Sequence, residues 1–161
     1  MKEKKPKKPR KPINGYIKVG PSFDLCHWKE TSSSFGYEVA LGLKQPISHQ
    51  GAYWGIEAGG MSNRYLTYRY DWESSISLFG VPYIGWNFES KENLSLAPYF
   101  GPFVCYGTNN LSNANWRAGL SFGTNLWINN QFAIGLNYKV DLLDDTRGVL
   151  HKITLGISYS F

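Results

Sequence analysis

From residue 15 onward the chain alternates. One position is large and apolar, the next small or polar, and the pattern recurs in eight segments. GYIKVGPSFDL (15–25) sets Ile17, Val19, Pro21, Phe23 and Leu25 on one face. FGYEVALGLK (35–44), AYWGIEAGG (52–60), ISLFGVPYIGWNF (76–88) and LSLAPYFGPFVCY (94–106) repeat it. So do WRAGLSFGTNL (116–126), FAIGLNYKVDL (132–142) and the closing ITLGISYSF, which aligns Ile153, Leu155, Ile157, Tyr159 and Phe161. A period of two means strands, because successive side chains point to opposite faces. The connections at 45–51, 89–93 and 127–131 are short. Those at 26–34, 61–75, 107–115 and 143–152 are mostly longer and polar. The pattern predicts an all-β fold: an eight-stranded antiparallel up-and-down transmembrane β-barrel, with short turns at one end and long loops at the other.

The two faces decide which solvent the barrel meets. An eight-stranded barrel encloses only enough room for side chains or one small ligand. About forty large apolar side chains turned inward, as in a soluble lipocalin-like barrel, would overfill it. The opposite face holds eleven of the 17 glycines (20, 36, 42, 55, 59, 85, 101, 119, 123, 135 and 156) with Ser22, Ser77, Ser121 and Ser158. A water-facing sheet is normally charged rather than glycine-lined. The apolar face is therefore expected outside, against lipid, and the small face inside. Trp54, Trp86, Phe88, Phe132, Tyr159 and Phe161 fall toward one end; Phe35, Tyr37, Tyr106, Trp116 and Tyr138 lie toward the other. Two aromatic belts suit two membrane interfaces. Pro21, Pro82, Pro98 and Pro102 fall inside strands, where bulges or local breaks are expected. The fifth strand is the one the pattern defines least clearly.

Composition adds a tail. Residues 1–12, MKEKKPKKPRKP, carry six Lys, one Arg and one Glu, or +6; the whole chain is +5, so the rest sums to −1. Residues 1–13 are expected to be a basic, disordered periplasmic segment, and 14–161 the barrel. Such a tail could touch anionic lipid or other polyanions by charge alone. A simple solvated tail is the plainer reading, and no specific nucleic acid partner is expected. No apolar h-region follows the basic start, so no secretory signal is read here. Cys26 and Cys105 fall on opposite walls and are expected to be unpaired.

Two internal stretches and the terminus resemble a known family. VPYIGWNF (81–88), YFGPFVCYG (99–107) and TLGISYSF (154–161) resemble small OmpA-like and OmpX-like outer-membrane barrels. They are similar in particular to the porin-family barrel domain of Bacteroidota. Thr154, Gly156, Tyr159 and Phe161 fit that class's carboxy-terminal assembly signal. The resemblance implies a bacterial outer-membrane location with both termini periplasmic, contact with outer-membrane lipid, and insertion by the barrel-assembly machinery. It implies no chemistry.

Candidate chemistry is sparse. Inward charges include Lys18, Asp24, Glu38, Lys44, Glu57, Arg117, Lys139, Asp141 and Lys152. Lys18, Glu38, Glu57, Arg117 and Lys139 are expected to form an interior network, because unpaired charge in a narrow lumen is costly to desolvate. That network reads as a structural plug, with a gated ion or proton path and a catalytic carboxylate pair as rivals. In MSNRYLTYRYDWES (61–74), Tyr68, Tyr70 and Trp72 alternate with Arg69, Asp71 and Glu73. The third and fourth strands should continue there as an external hairpin. Arg64, Tyr68, Arg69, Tyr70 and Trp72 are its interaction candidates, unless the aromatics merely cover the barrel mouth. His27 and His151 near the rim, with Asp144 and Asp145, keep a lipid-modifying enzyme as an alternative. His49 lies in a short turn. There is no Gly-x-Ser-x-Gly, no phosphate loop and no zinc spacing. The reading is a non-enzymatic barrel without cofactor or metal, with a structural or surface-interaction role. A subunit of a larger envelope complex, with an envelope protein as partner, is the other alternative.

Overall fold

The structure, a computed structural model, describes residues 13–26, 34–47, 50–66, 72–90, 93–107, 115–142 and 150–161. The basic tail up to residue 12 lies outside the described residues, as do His27, His49, Tyr68, Arg69, Tyr70, Asp71, Asp144 and Asp145.

Eight long strands follow one another: β1 (Asn14–Cys26), β2 (Ser34–Pro46), β3 (Ala52–Leu66), β4 (Trp72–Trp86), β5 (Leu94–Gly107), β6 (Asn115–Ile128), β7 (Phe132–Asp141) and β8 (Leu150–Ser160). Each pairs antiparallel with its sequence neighbours. β8 closes back on β1, pairing Tyr16 with Ser160 and Cys26 with Leu150. With an even strand number, both chain ends lie at one end of the barrel.

The registers fix its shape. From Ile17 they lead one way through Leu41, Ala58 and Gly80 to Val104. The other way they lead through Tyr159, Phe132 and Ile128 to Leu94. The two arrivals on β5 are ten residues apart, which is the shear of the closed sheet. Ten rises of ~3.3 Å against eight spacings of ~4.8 Å tilt the strands by roughly 40°.

Local chemistry ends the strands where the pattern expects. Asn129 and Asn130 both take positive φ, 51° and 58°, and Gln131 N–H closes the turn onto the Ile128 carbonyl at 3.1 Å. Two left-handed residues make a type I′ turn, whose twist matches the flanking strands. β3 and β4 run longer than the segments read from their apolar rows. They pair as far as Leu66 and Trp72, as a hairpin extension requires.

The faces separate as two solvents demand. Leu41 is 61% exposed and Ile157 62%, while Glu38 beside Leu41's row is 0% exposed. Along the middle of the wall the outward row is mostly apolar. Near the termini Trp54, Trp86, Phe88, Phe132, Tyr159 and Phe161 are exposed, and Phe132 and Tyr159 lie ring to ring at 5.1 Å. Toward the other end the belt includes Phe23, Phe35, Tyr37, Tyr106 and Trp116, with Tyr106 and Trp116 4.9 Å apart.

The prolines produce breaks and no bulges. Registers are unchanged on either side of each. Pairing of β4 with β5 runs to Gly80–Val104 and resumes at Ile84–Phe100. Pro82 and Pro102 stand opposite each other in the gap, and neither has an amide hydrogen to give. Pro21 leaves a smaller gap against β8, between Val19–Ile157 and Ser22–Thr154. Near Pro98, β4 stops at Trp86. The chain then pairs again for two residues, Phe88–Glu89 with Leu96 and Ser95. β5 itself is continuous from Leu94 to Gly107, so the interruption lies in its seam with β4 and not in the strand.

Candidate functional site

The lumen concentrates the polar chemistry of the described residues. It is also fuller than a row of small residues suggests. Tyr16, Tyr53, Phe79, Tyr83, Tyr99, Phe103 and Trp127 all point inward and are buried. Glycines make their room. Tyr16 is paired across strands with Gly42, Tyr53 with Gly85, Tyr83 with Gly55, and Tyr99 with Gly123. A methyl group at any of these four glycines would run into the facing tyrosine ring. The glycine row is thus a set of sockets for large side chains, and its partner residues were the part that composition did not reveal. The available signal is the register: an inward tyrosine facing a glycine on the next strand.

At the end holding the termini, Trp127 is sealed beneath Tyr16, edge to face at 6.1 Å. Lys44 Nζ lies 4.0 Å from the Trp127 ring centroid, a cation–π contact. Above it, the tyrosines hand over to charge. Tyr16 and Tyr83 hydroxyls meet at 3.0 Å, and Tyr16 donates to Glu57 at 2.9 Å.

Four ion-paired residues fill the middle. Lys18 Nζ lies 2.5 Å from Glu57 Oε1 and 3.0 Å from Glu38 Oε1. Lys139 Nζ is 2.6 Å from Glu38 Oε2, which also accepts from the Thr154 hydroxyl at 3.1 Å. Lys139 also lies over the Phe79 ring at 4.3 Å. All four charged residues are almost wholly buried. Asn137 ties the neighbouring wall together, donating to Tyr99 and Ser121 at 3.0 and 2.9 Å.

Arg117, grouped with these four from the sequence, sits nearer the opposite mouth. Its Nη1 is 3.7 Å from Asp141 and its Nη2 donates to Ser77 at 3.1 Å. β6 carries it high on the wall because Arg117 pairs with Cys105, near the end of β5. Lys152 joins Asp24 at 3.1 Å and Met61 Sδ at 3.1 Å there, and Ser34 donates to Asp24 at 2.9 Å. Met61, Phe103, Cys105, Arg117, Lys139, Asp141 and Lys152 surround a cavity of about 10 Å³, room for about one water. Cys105 is a free, buried thiol. The ion-paired groups balance in sign: Lys18, Arg117, Lys139 and Lys152 against Asp24, Glu38, Glu57 and Asp141. Such an arrangement can hold the wall rigid and close the lumen. Among the described residues no group of three or more His, Cys, Asp or Glu could hold a metal ion.

The remaining candidates divide between the outer wall and the terminal strand. Arg64 is exposed near the end of β3, paired with Phe35 and Ser74. The Trp72 backbone begins β4 opposite Leu66. His151 is on the outer wall, stacked on Tyr138 with its Nδ1 hydrogen-bonded to the tyrosine hydroxyl. In the terminal strand, Thr154 and Gly156 face inward, and Tyr159 and Phe161 outward. Phe161 N–H donates to the Gly15 carbonyl at 3.0 Å, locking the last residue onto β1.

No protein-family model matches the sequence, and no curated protein sequence matches it. Solved structures do. The outer membrane protein OprG from Pseudomonas aeruginosa superposes with a TM-score of 0.57 at 7% identity, over 94% of this chain and 97% of its own. The outer membrane enzyme PagL gives 0.55 at 13% identity, over 88% and 98%. Ail, the attachment invasion locus protein of Yersinia pestis, gives 0.51 at 19% identity, over 92% and 98%. At such identities the likeness is one of fold. The chain has the fold of the small eight-stranded outer-membrane β-barrels.

Proposed function

We propose that the protein is a bacterial outer-membrane barrel with both termini periplasmic, serving membrane structure or surface interaction through its external loops and catalysing no reaction. The observation that carries this reading is the pairing of an apolar outer wall with a lumen closed by balanced, buried ion pairs. An apolar wall of this extent needs lipid around it, since a barrel is one of the two structures that satisfy every backbone group in a bilayer. A closed lumen leaves the loops and the outer wall as the working surfaces. Arg64, Tyr68, Arg69, Tyr70 and Trp72 are the contact candidates, with an envelope protein as the alternative partner. Thr154, Gly156, Tyr159 and Phe161 would serve recognition by the assembly machinery.

The test is reconstitution. The refolded protein should migrate faster unheated than boiled, and should give no stepwise conductance in a planar bilayer. A stable monomer in water without detergent would sink the membrane assignment, and steady conductance steps would sink the closed lumen. Replacing His151 with alanine should leave vesicle lipids chemically unchanged relative to the parent protein. Lipid turnover that disappears with His151 would make the protein an enzyme.

A further inference from the structure

The first twelve residues carry a repeat that neither the lumen nor the outer wall uses. KKP (4–6), KKP (7–9) and RKP (10–12) follow one another without a break. Six cations stand in these nine residues, and Glu3 is the one acid of the stretch. Prolines recur at positions 6, 9 and 12, and none has an amide hydrogen to give to a sheet. The ladder of β1 starts only at Asn14, two residues past the last of them. The repeat is a poor continuation of the wall, and its charges are not committed to it.

The wall fixes where the repeat is tethered. Gly15 accepts from the Phe161 amide at 3.0 Å, and the Phe161 ring lies over Gly15. Ile13 is 57% exposed and Phe161 75%. Trp54, Trp86, Phe88, Phe132 and Tyr159 are exposed at the same end. An aromatic belt of this kind sits at headgroup level in a bilayer. The tether is short: three residues lead from Pro12 to Gly15, a reach of roughly 10 Å. That is about one Debye length at ~0.1 M salt.

The barrel's own terminal end offers little to neutralise the repeat. The short turns at 45–51, 89–93 and 127–131 hold Glu89 and Glu92 against Lys91, a net of −1 facing a segment of +6. The lumen mouth at this end adds a further cation. Lys44 lies 4.0 Å from the Trp127 ring and 6.0 Å from the Tyr53 ring, and it makes no ion pair among the described residues. The mouth therefore repels the repeat. Counter-charge must come from outside the chain, and the nearest supply is the lipid surface at the tether. Clusters of about four to eight Lys and Arg beside a membrane span are drawn to acidic lipid by charge alone.

From these observations we propose that residues 4–12 bind the anionic phosphodiester headgroups of phospholipid in the leaflet around the terminal end, gathering acidic lipid at the barrel's rim. The inference rests on the reading that the outer wall faces lipid.

Spin-labelled lipids report such gathering. The full chain is reconstituted in phosphatidylcholine vesicles with a trace of spin-labelled phosphatidylglycerol or, separately, of spin-labelled phosphatidylcholine. Electron spin resonance separates lipid immobilised against the protein from lipid free in the bilayer. At about 0.01 M salt, where screening acts over ~30 Å, the parent should hold phosphatidylglycerol about threefold over phosphatidylcholine. Near ~1 M salt, where it acts over ~3 Å, the ratio should fall toward one. Lys4→Gln, Lys5→Gln, Lys7→Gln, Lys8→Gln, Arg10→Gln and Lys11→Gln together should hold the ratio near one at both salts. These positions precede β1, so heat-modifiable migration should be unchanged, and it is scored on every sample. Immobilised lipid of neither kind overturns both the membrane reading and this inference. Immobilised lipid without a preference for phosphatidylglycerol, or a preference that survives the six glutamines, overturns the inference alone. So does salt-sensitive sedimentation of the parent with isolated peptidoglycan in place of the lipid preference, which would make the partner a polymer.

Discussion

Replacing Glu38 with leucine removes the one carboxylate that joins two lysines in the middle of the lumen. Glu38 is 0% exposed and lies 3.0 Å from Lys18 and 2.6 Å from Lys139. At an effective dielectric near 20, each contact represents on the order of 5–6 kcal/mol of gross attraction, most of it offset by the cost of stripping both ions of water. The net effect of the substitution is set by what is left behind. Lys18 keeps Glu57 at 2.5 Å. Lys139 keeps the Phe79 ring at 4.3 Å, which does not neutralise it. One buried ammonium without a counter-ion should cost about 3–5 kcal/mol. Urea titration in lipid vesicles, followed by tryptophan fluorescence, measures the loss. Adding Lys139→Met removes the stranded charge and should recover much of it, giving a coupling energy of about 2–3 kcal/mol in the double-mutant cycle. A loss under ~1 kcal/mol, with the two substitutions additive, would refute the reasoning. Such a result would mean that water already solvates these charges and the lumen is not a dry plug.

Three further outcomes follow from the same geometry. Gly123→Ala should destabilise the barrel by about 1–3 kcal/mol through overpacking against Tyr99, read by the same urea titration; a neutral result would mean the ring is not seated in that socket. Deleting Phe161 should reduce the heat-modifiable fraction recovered from cell envelopes, while refolding of purified chain into detergent stays within a factor of two. Equal losses in both would assign Phe161 to stability and not to assembly. Alanine at Arg64, Tyr68, Arg69 and Tyr70 together should leave the urea midpoint unchanged and abolish any surface binding measured with intact cells. A shifted midpoint would make these side chains part of the fold's support.

The outside of this barrel was legible because one rule governs it. Most outward positions along the wall are large and apolar, so Ile17, Val39, Leu41, Leu136 and Ile157 repeat one choice at period two. That repetition survives without knowledge of which strand neighbours which. The inside obeys a relational rule. Tyr16 is allowed because Gly42 stands opposite, and Tyr99 because Gly123 does. Neither residue announces its role until the register is known. The charges divide in the same way. Their inward placement follows from alternation, yet Arg117 leaves the central group for Asp141 because the shear of the sheet raises β6 relative to β1. The prolines mark the boundary between the two kinds of information. Each is a visible break in the strand pattern, and a break can be expected from Pro82 or Pro102 alone. Only the register brings those two face to face, which turns two separate irregularities into one interrupted seam. The features that fill and brace the lumen are those set by cross-strand partners, and a single row of alternating residues encodes them only jointly with its neighbour.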